Sequence, residues 1–306
     1  MRRIGIIGGT GYVAGELLRC LVHHPQVEPG FVYSHSQPGK PVSGVHQDLQ
    51  GELNLNFTDK IDPEVDVVFL CLGHGKSKEF LAGHTFNAHT RIIDLGNDFR
   101  LEADRHFLKK NFVYGLPELN GAVIPNATAI ANPGCFATAI QLALLPLANA
   151  RLLDGAVHVH ATTGSTGAGA SLSETSHFSW RNNNLSVYKA FSHQHLGEIS
   201  ESLQALQKAP VPELNFLPLR GNFTRGILAT AYLDSPIAGQ DLQLLYRDFY
   251  KNTPFTKVVD VPVHLKQVVN TNHCFLQVQK INGKVLITSA IDNLLKGAAG
   301  QAIQNM

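Results

Sequence analysis

Short apolar runs and amphipathic segments alternate along the first half of the chain. The apolar runs predict buried strands, and apolar residues recurring three or four positions apart predict helices between them. We expect strands at 3–7, 31–33, 66–72, 91–95 and 128–131, and helices at 12–23, 77–87 and 135–147. Strands that alternate with helices are typical of a parallel, doubly wound sheet, so an α/β domain is predicted over residues 1–148.

The second half follows a different pattern. A strand at 157–163 leads into a loop of small residues, a helix is expected at 238–252, and β-rich runs lie at 226–233, 274–281 and 284–291. This pattern predicts an α+β domain with an antiparallel or mixed sheet over residues 149–290. The segment 293–305 has helical spacing and a Gly-Ala-Ala-Gly interior that permits close packing. Residues 291–306 are therefore expected to return to the first domain.

Composition narrows the range of partners. Of 306 residues, 44% are apolar and 16% are charged, and the formal net charge is +1, so neither a nucleic acid nor an anionic membrane is expected as a partner. No apolar run approaches the roughly 20 residues that span a bilayer. The apolar run after the first two arginines is short and broken by glycines, unlike a signal peptide, and a cytoplasmic protein is expected.

The four cysteines lie far apart, without a CxxC pair, so neither a disulfide framework nor a zinc knuckle is indicated. Cys20, Cys71 and Cys274 fall within helical or strand-like runs and are interpreted as small buried hydrophobic residues. Cys135 follows Asn-Pro-Gly and begins an apolar helix. The helix dipole at that position favours the thiolate, which is the reactive form. Cys135 is therefore the candidate nucleophile, with a buried structural cysteine as the alternative.

A glycine-rich segment between the first strand and the first helix predicts a dinucleotide site of the Rossmann type. Gly8 permits the tight turn, Gly11 lets a pyrophosphate approach the backbone, and Ala14 lets the helix pack on the strand. The second strand ends without an acidic residue, and its hydroxyls and Lys40 suit a 2′-phosphate, so NADP is preferred. The candidate cofactor residues in this half are Gly8, Thr10, Gly11, Tyr12, Val13, Ser34, Ser36, Leu72 and Gly73.

The sequence His193-Gln194-His195-Leu196-Gly197-Glu198 supplies candidate acid–base residues. If a helix starts near His195, then His195 and Glu198 share one face, and the carboxylate can orient the imidazole. His193 lies just before that helix. The alternative is a metal site, because a His-x-His pair can bind zinc, but further ligands at suitable spacing are not evident.

Two further segments carry anion-binding chemistry. Ser165-Thr166-Gly167-Ala168-Gly169 resembles an anion nest, with hydroxyls and free backbone N–H groups, and we expect Ser165 and Gly167 to contact the cofactor. Arg100 follows a strand end, where a guanidinium suits a phosphate or a carboxylate. A mobile loop and a solvated arginine are the respective alternatives.

Taken in order, these segments resemble the N-acetyl-gamma-glutamyl-phosphate reductases, which share a two-domain plan with the aspartate-semialdehyde dehydrogenases. The matching segments are GGTGYVAGELL, VVFLCLGHG, IIDLGNDFRL, YGLPEL, IANPGCFAT, GSTGAGAS, HQHLGEI, RGILATAY and AIDNLLKGAAGQAIQN. They cover nearly the whole chain. NPGCF and the terminal segment together are highly specific.

The resemblance implies a reaction and a set of roles. Cys135 attacks an acyl phosphate and forms a thioester, NADPH reduces it to a semialdehyde, and His195 with Glu198 handles protons. It further implies that Arg100 and Asn132 hold phosphate, and that Asn293 and Lys296 lie near cofactor and substrate respectively. A catalytic and oligomerisation role for the second domain, and a dimer or tetramer, also follow from the resemblance.

Departures from the family pattern leave the substrate's acyl group open. The nest reads GAGAS where an arginine commonly follows GAG, and His195 is followed by Leu-Gly rather than Thr-Pro. Acetyl is the default, and a charged acyl group such as succinyl is the alternative, with Trp180, Arg181 and 182–184 as residues able to shape that choice. Aspartyl phosphate as substrate, an NADP-sensing module without catalysis, and a cysteine hydrolase are the competing functions.

Overall fold

The computed structural model describes all residues, 1–306, and its backbone divides into two compact units. The first unit comprises Met1–Pro133 and Ala298–Met306, and the second comprises Gly134–Gly297. The second unit therefore begins earlier than the predicted boundary at residue 148. The helix that starts at Cys135 packs on strands and helices of the second unit, which accounts for the difference.

The first unit contains an eight-stranded sheet in the order β3-β2-β1-β4-β5-β8-β7-β6, and only β6 runs antiparallel to its neighbour. This arrangement confirms the predicted doubly wound sheet. Its strands are β1 (Arg2–Ile7), β2 (Val27–Tyr33), β3 (Phe57–Thr58), β4 (Val67–Leu70), β5 (Arg91–Asp94), β6 (His106–Phe107), β7 (Lys110–Tyr114) and β8 (Ala129–Ala131).

Both faces of this sheet are covered, which explains why its strands are continuous apolar runs. Along β4, Val67 and Phe69 join the core beneath one set of helices, and Val68 and Leu70 join the core on the other face. The helices of the unit are α1 (Tyr12–Leu21), α2 (Ser77–Gly83), α3 (Pro117–Asn120) and α8 (Ala299–Asn305). The terminal helix α8 packs on α1 through small residues.

The second unit contains a seven-stranded mixed sheet in the order β10-β11-β9-β12-β15-β14-β13. Alternate residues of β12 are buried, as expected for a sheet with one covered face. Its strands are β9 (Val157–Thr163), β10 (Ser186–Val187), β11 (Leu214–Arg220), β12 (Ile227–Asp234), β13 (Thr256–Val258), β14 (Cys274–Ile281) and β15 (Lys284–Ile291). Its helices are α4 (Cys135–Asn149), α5 (Phe178–Arg181), α6 (His195–Gln207) and α7 (Gly239–Tyr250).

Helix α4 is the centre of the second unit. Every residue from Phe136 to Ala148 is buried, because α4 packs on β12, β14 and β15 and against α6 and α7. Pro146 lies inside the helix and lacks the N–H that would bond to the carbonyl of Leu142. The Tyr250 hydroxyl donates to that carbonyl at 2.6 Å. A side chain of α7 thus replaces the backbone donor that proline removes.

Replacing Tyr250 with phenylalanine should lower the free energy of unfolding by about 1–2 kcal/mol, because it leaves a buried carbonyl without that donor. Urea unfolding followed by circular dichroism measures the change. Tyr232→Phe is the matched control, since Tyr232 stacks on His158 and no hydrogen bond of its hydroxyl is present. Equal unfolding free energies for the wild type and Tyr250→Phe would contradict the proposed compensation.

The terminal helix is shorter than predicted. Residues 293–297 form turns, and α8 begins only at Ala299. The carboxylate of Asp292 accepts the N–H groups of Leu294 and Leu295, and the Asp292 carbonyl accepts the N–H of Gly297. These bonds compete with the helical pattern that the spacing predicted. No helix in the structure has the length and apolar character needed to cross a bilayer.

Candidate active site

Cys135 is the first residue of α4, with Gly134 as the N-cap. A Cβ added at Gly134 would overlap the imidazole of His195, so the ring of His195 lies directly against this glycine. On the other side, a Cβ added at Gly297 would lie 2.8 Å from the Cβ of Cys135. Cys135 therefore lies between the start of α6 and the turn before α8. The absence of a side chain at Gly134 and at Gly297 permits this close packing.

Helix α6 begins at His195, as predicted, and brings the acid–base candidates together. His195 and Glu198 are both nearly fully buried, with 3.9 Å between His195 Nε2 and Glu198 Oε1. Glu198 also accepts the N–H of Gly134 at 3.1 Å. One carboxylate thus connects the imidazole to the first turn of the helix that carries Cys135.

His193 is buried beside this pair and has a positioning contact. Its Nδ1 accepts the backbone N–H of His195 at 3.2 Å, and the centroids of the two rings are 4.6 Å apart. The ring of His193 is surrounded by the aromatic rings of Phe136, Phe216 and Tyr188. His193 therefore braces the start of α6, whereas His195 faces the residue that precedes the nucleophile.

Gly134→Ala should lower kcat by about a hundredfold or more, because the new methyl group must displace the His195 ring. The backbone of Gly134 has φ −71° and ψ 153°, which alanine adopts without strain, so the fold should be retained. Steady-state kinetics beside a thermal melt measure both effects. Gly155→Ala is the control, since a Cβ there meets open space. Unchanged kcat in Gly134→Ala would show that the ring is not held against this residue.

Two residues near this site were not predicted: Tyr188, which interacts electrostatically with Cys135, and Arg220, which contacts Tyr188. Burial raises the pKa of Tyr188 to about 12, with the Cys135 charge adding to the rise. The guanidinium of Arg220 lies over the Tyr188 ring, 4.6 Å from its centroid. Neither residue stood in a motif, so the sequence carried no signal for either.

The loop 165–169 does not form the predicted nest. The N–H groups of Ser165, Thr166 and Gly167 donate to the carbonyls of Phe223, Thr224 and Gly164, so they are not open to an anion. The prediction of free N–H groups was wrong because the loop is bonded to the segment before β12.

Asn293 fixes the same loop. Its Oδ1 accepts the N–H of Gly226 at 2.7 Å, and its Nδ2 donates to Thr166 Oγ1 at 3.0 Å. The structure thus brings Asn293 next to the segment containing Ser165 and Gly167. Their contact with a cofactor stays a prediction.

In the first unit, the carboxyl ends of β1, β2 and β4 lie side by side and carry the predicted cofactor residues. Gly8 has φ +82°, and a Cβ there would lie 2.6 Å from the carbonyl oxygen of Cys71, so the turn requires glycine. A Cβ at Gly11 would meet nothing closer than 3.9 Å. The backbone before Tyr12 and Val13, where α1 begins, therefore has room for a pyrophosphate to approach.

The neighbouring strand ends agree with this assignment. Ser34 and Ser36 follow β2, with their hydroxyl oxygens 3.4 Å apart, and no acidic side chain follows that strand before Asp48. Leu72 and Gly73 follow β4 on the same edge. The chemistry of these residues fits a dinucleotide with a 2′-phosphate. The sequence did not indicate that His46 contacts the glycine-rich turn. Its Nε2 lies 2.7 Å from the carbonyl oxygen of Gly9.

The predicted phosphate residues Arg100 and Asn132 lie together in the first unit. Arg100 is 5% exposed, and its Nε donates to the Asn132 carbonyl at 2.9 Å. Asn132 Nδ2 donates to the carbonyl of Ala298, and Asn132 Oδ1 accepts from Asn305. Both side chains thus hold the backbone around β8. Lys296 is fully buried in the second unit. Substrate binding by the three residues stays a prediction.

Asp94, at the end of β5, is a buried carboxylate that the sequence did not single out. Its Oδ1 accepts from Ser77 Oγ at 2.6 Å and from the N–H of Gly96 at 3.1 Å. Burial raises its pKa from 3.8 to about 6, and the bond from Ser77 opposes that rise. The Asp94 carboxyl therefore binds its proton more tightly in the folded protein than in the unfolded chain. As a result, the free energy of unfolding falls as the pH rises from about 4 through about 6.

Between pH 4.5 and pH 7.5, the free energy of unfolding of the wild type should therefore fall by about 2 kcal/mol more than that of the Asp94→Asn variant. Urea unfolding of both proteins at several pH values measures this difference. Asp59→Asn is the control, because Asp59 is exposed. A wild-type-minus-variant difference that stays constant with pH would contradict the raised pKa.

A metal site at His193 and His195 was the predicted alternative, and it would need further ligands near these two residues. The structure contains no group of three or more His, Cys, Asp or Glu side chains with the geometry to hold a metal ion. His195 instead pairs with the single carboxylate of Glu198.

Comparisons with known proteins show the family and the fold to which the chain is similar. A family model described as semialdehyde dehydrogenase, NAD binding domain, matches residues 3–127, and one described as semialdehyde dehydrogenase, dimerisation domain, matches residues 135–293. Aspartate semialdehyde dehydrogenase II from Vibrio cholerae is 17% identical, covers 100% of this chain and 97% of its own, and has a TM-score of 0.76. An aspartate semialdehyde dehydrogenase with NADP from Candida albicans has a TM-score of 0.66 at 14% identity and the same coverages.

Much closer sequence relatives are N-acetyl-gamma-glutamyl-phosphate reductases. The proteins of that name from Flavobacterium johnsoniae, Christiangramia forsetii and Bacteroides thetaiotaomicron are 61%, 58% and 50% identical. In each case the match covers 100% of this chain and 94% of the relative. The chain therefore belongs to the semialdehyde dehydrogenase family and, within it, to the N-acetyl-gamma-glutamyl-phosphate reductases.

Proposed function

We propose that the protein reduces N-acetyl-gamma-glutamyl phosphate to N-acetylglutamate semialdehyde with NADPH, a step of arginine biosynthesis. The observation that carries this proposal is the packing of the His195 ring against Gly134, immediately before Cys135 at the start of α4. A cysteine at a helix amino terminus with an adjacent base is the arrangement that activates a thiol for covalent catalysis. The full-length relatives bear the name of this activity.

The first chemical step forms the thioester. His195 takes the proton of the Cys135 thiol, and the sulfur attacks the γ-carbonyl carbon of the acyl phosphate. The carbon–oxygen bond to phosphate then breaks, and His195 passes its proton to the departing phosphate oxygen. Glu198, 3.9 Å from His195 Nε2, stabilises the imidazolium between these transfers. The backbone N–H of Cys135 is the proposed donor to the oxyanion that develops on the carbonyl.

The second step reduces the thioester and frees the enzyme. When bound, NADPH would supply the hydride that the thioester carbon accepts. The resulting oxyanion collapses, the carbon–sulfur bond breaks, and the semialdehyde leaves with Cys135 again as thiolate. His195 regains a proton from solvent, so one NADPH and one proton are consumed for each phosphate released.

We propose the following residues as contacts of the cofactor and the substrate. Gly8, Gly11 and the start of α1 receive the pyrophosphate, and Ser34 with Ser36 receives the 2′-phosphate. Ser165, Gly167 and Asn293 are proposed to contact the nicotinamide half. Arg100 and Asn132 are proposed for the substrate phosphate, and Lys296 for the rest of the substrate.

The test is NADP reduction in the reverse direction, on N-acetylglutamate semialdehyde with inorganic phosphate, beside the N-succinyl analogue. Turnover that requires phosphate supports the proposal, and the preferred semialdehyde identifies the acyl group. Absence of turnover with either compound, despite NADP binding, would refute this function and favour aspartyl phosphate or a nucleotide-sensing role.

Assembly and location complete the proposal. The second unit matches a dimerisation domain, so we propose a homo-oligomer, either a dimer or a tetramer. Small-molecule substrates, inorganic phosphate and NADPH suit a cytoplasmic enzyme. Analytical ultracentrifugation of the protein with and without NADP tests the assembly.

A further inference from the structure

Arg220 ends β11 on the side of the sheet that faces the catalytic residues. Successive residues of a strand point to opposite faces, so Arg220 shares a face with Pro218 and Phe216. Phe216 contacts the rings of Phe136 and His193 on that face. The positively charged side chain of Arg220 therefore lies at the end of the row of β11 residues whose other end packs on Phe136 and His193.

The guanidinium of Arg220 differs from those of its two neighbours, Arg225 and Arg181, because it has neither a carboxylate nor a backbone carbonyl as partner in the chain. Arg225 pairs with Asp292 at 3.0 Å, and Arg181 donates to the carbonyls of Thr175 and Arg220. Arg220 forms no ion pair. Its side chain has a hydrogen bond with Tyr188 that opposes the rise in the pKa of that tyrosine, but its buried Nε has no acceptor. A buried N–H donor without an acceptor is costly, and it is retained where a ligand supplies the acceptor.

Tyr188 contacts this guanidinium and connects it to the residues around the nucleophile. Arg220 lies over the Tyr188 ring at 4.6 Å, and that ring contacts His193 with 5.8 Å between centroids. Tyr188 is also close enough to Cys135 for the two groups to interact electrostatically. The stacked guanidinium is therefore fixed in orientation before any ligand arrives, which reduces the entropy lost on binding.

We propose that Arg220 binds a carboxylate of the substrate and so sets its specificity. This inference rests on the proposed function, whose substrates carry one carboxylate on the glutamyl unit and, for an N-succinyl group, a second on the acyl chain. A planar guanidinium with a free Nε matches the two oxygens of a carboxylate. Both sources present the same chemistry to Arg220.

The test compares the wild type with Arg220→Gln and Arg220→Lys on the N-acetyl and N-succinyl semialdehydes, with phosphate and NADP. If Arg220 binds the glutamyl carboxylate, KM rises about ten- to hundredfold for both substrates. If it binds the acyl carboxylate, KM rises for the N-succinyl substrate alone. Arg220→Lys should recover part of the loss in either case. Arg247→Gln, which removes an exposed guanidinium paired with Asp260, should change neither KM.

Unchanged KM for both substrates in Arg220→Gln would overturn the inference, as would a fall in kcat alone, which would indicate that Arg220 only positions Tyr188. If Arg220→Gln does not fold, Arg220→Lys decides, because an ion-pairing role predicts a raised KM for the same substrate or substrates. Failure of the proposed function is distinguishable, since the wild type itself would then lack phosphate-dependent turnover.

Discussion

Cys135→Ser is expected to lower kcat/KM for phosphate-dependent NADP reduction on the order of 10⁴-fold or more. Serine is nearly isosteric with cysteine, but its hydroxyl does not ionise near neutral pH. An oxygen ester would also accept hydride less readily than a thioester. Steady-state kinetics with N-acetylglutamate semialdehyde measure the loss, and a fluorescence titration measures the dissociation constant for NADP.

The NADP dissociation constant should stay unchanged in Cys135→Ser, because the substitution removes none of the residues that are proposed to contact the cofactor. Cys20→Ser is the matched control. The prediction that Cys20 is buried was wrong, since it is exposed on α1, and it has no role in the proposed reaction. Retention of more than about a hundredth of wild-type activity in Cys135→Ser would exclude Cys135 as the nucleophile.

His195→Asn is expected to lower kcat by about 10²–10⁴-fold, the usual contribution of a positioned acid–base group. The ring lies against Gly134 and within 3.9 Å of Glu198. Asparagine keeps a polar side chain of smaller size, so the fold should persist. The dependence of kcat on pH should also change, because the group that carries the proton is gone. Kinetics across pH 5.5–8.5 measure both effects.

The His193→Asn variant distinguishes the role of His193 from that of His195. His23→Asn is the control for the loss of an imidazole, because His23 is exposed. Because His193 contacts the backbone N–H of His195 and an aromatic wall, its removal should lower kcat by a smaller factor and leave the shape of the pH profile unchanged. A larger loss in His193→Asn than in His195→Asn, with an altered pH profile, would reverse the assignment of the proton carrier.

The fold could be predicted where local patterns decide structure. The alternation of apolar runs with helices identified the parallel sheet, and β9, β14 and β15 have the bounds that their patterns predicted. Strand β11 was missed because Pro218 lies within it, and proline usually marks a break. In the structure, β11 pairs with β9 on one side and only the short β10 on the other.

The site could be predicted only in part, for a similar reason. Cys135, His195 and Glu198 stand in short motifs whose spacing carries chemistry, and the structure brings them together. Tyr188 approaches the same residues through tertiary packing and carries Arg220 on its ring, and no spacing in the chain predicts either contact. The hydrogen bonds that close the loop at Ser165 likewise depend on a segment more than fifty residues away, around Phe223 and Thr224.

The most direct test of the proposed chemistry is a single-turnover reaction of the wild type with N-acetylglutamate semialdehyde and NADP in the absence of phosphate. Oxidation should stop at the thioester, so we expect a burst of one NADPH per active site. Acid quenching, digestion and mass spectrometry should then find the N-acetylglutamyl group on the peptide that contains Cys135. Continued NADPH formation without phosphate, or an acyl group absent from Cys135 when the burst ends, would contradict the thioester mechanism.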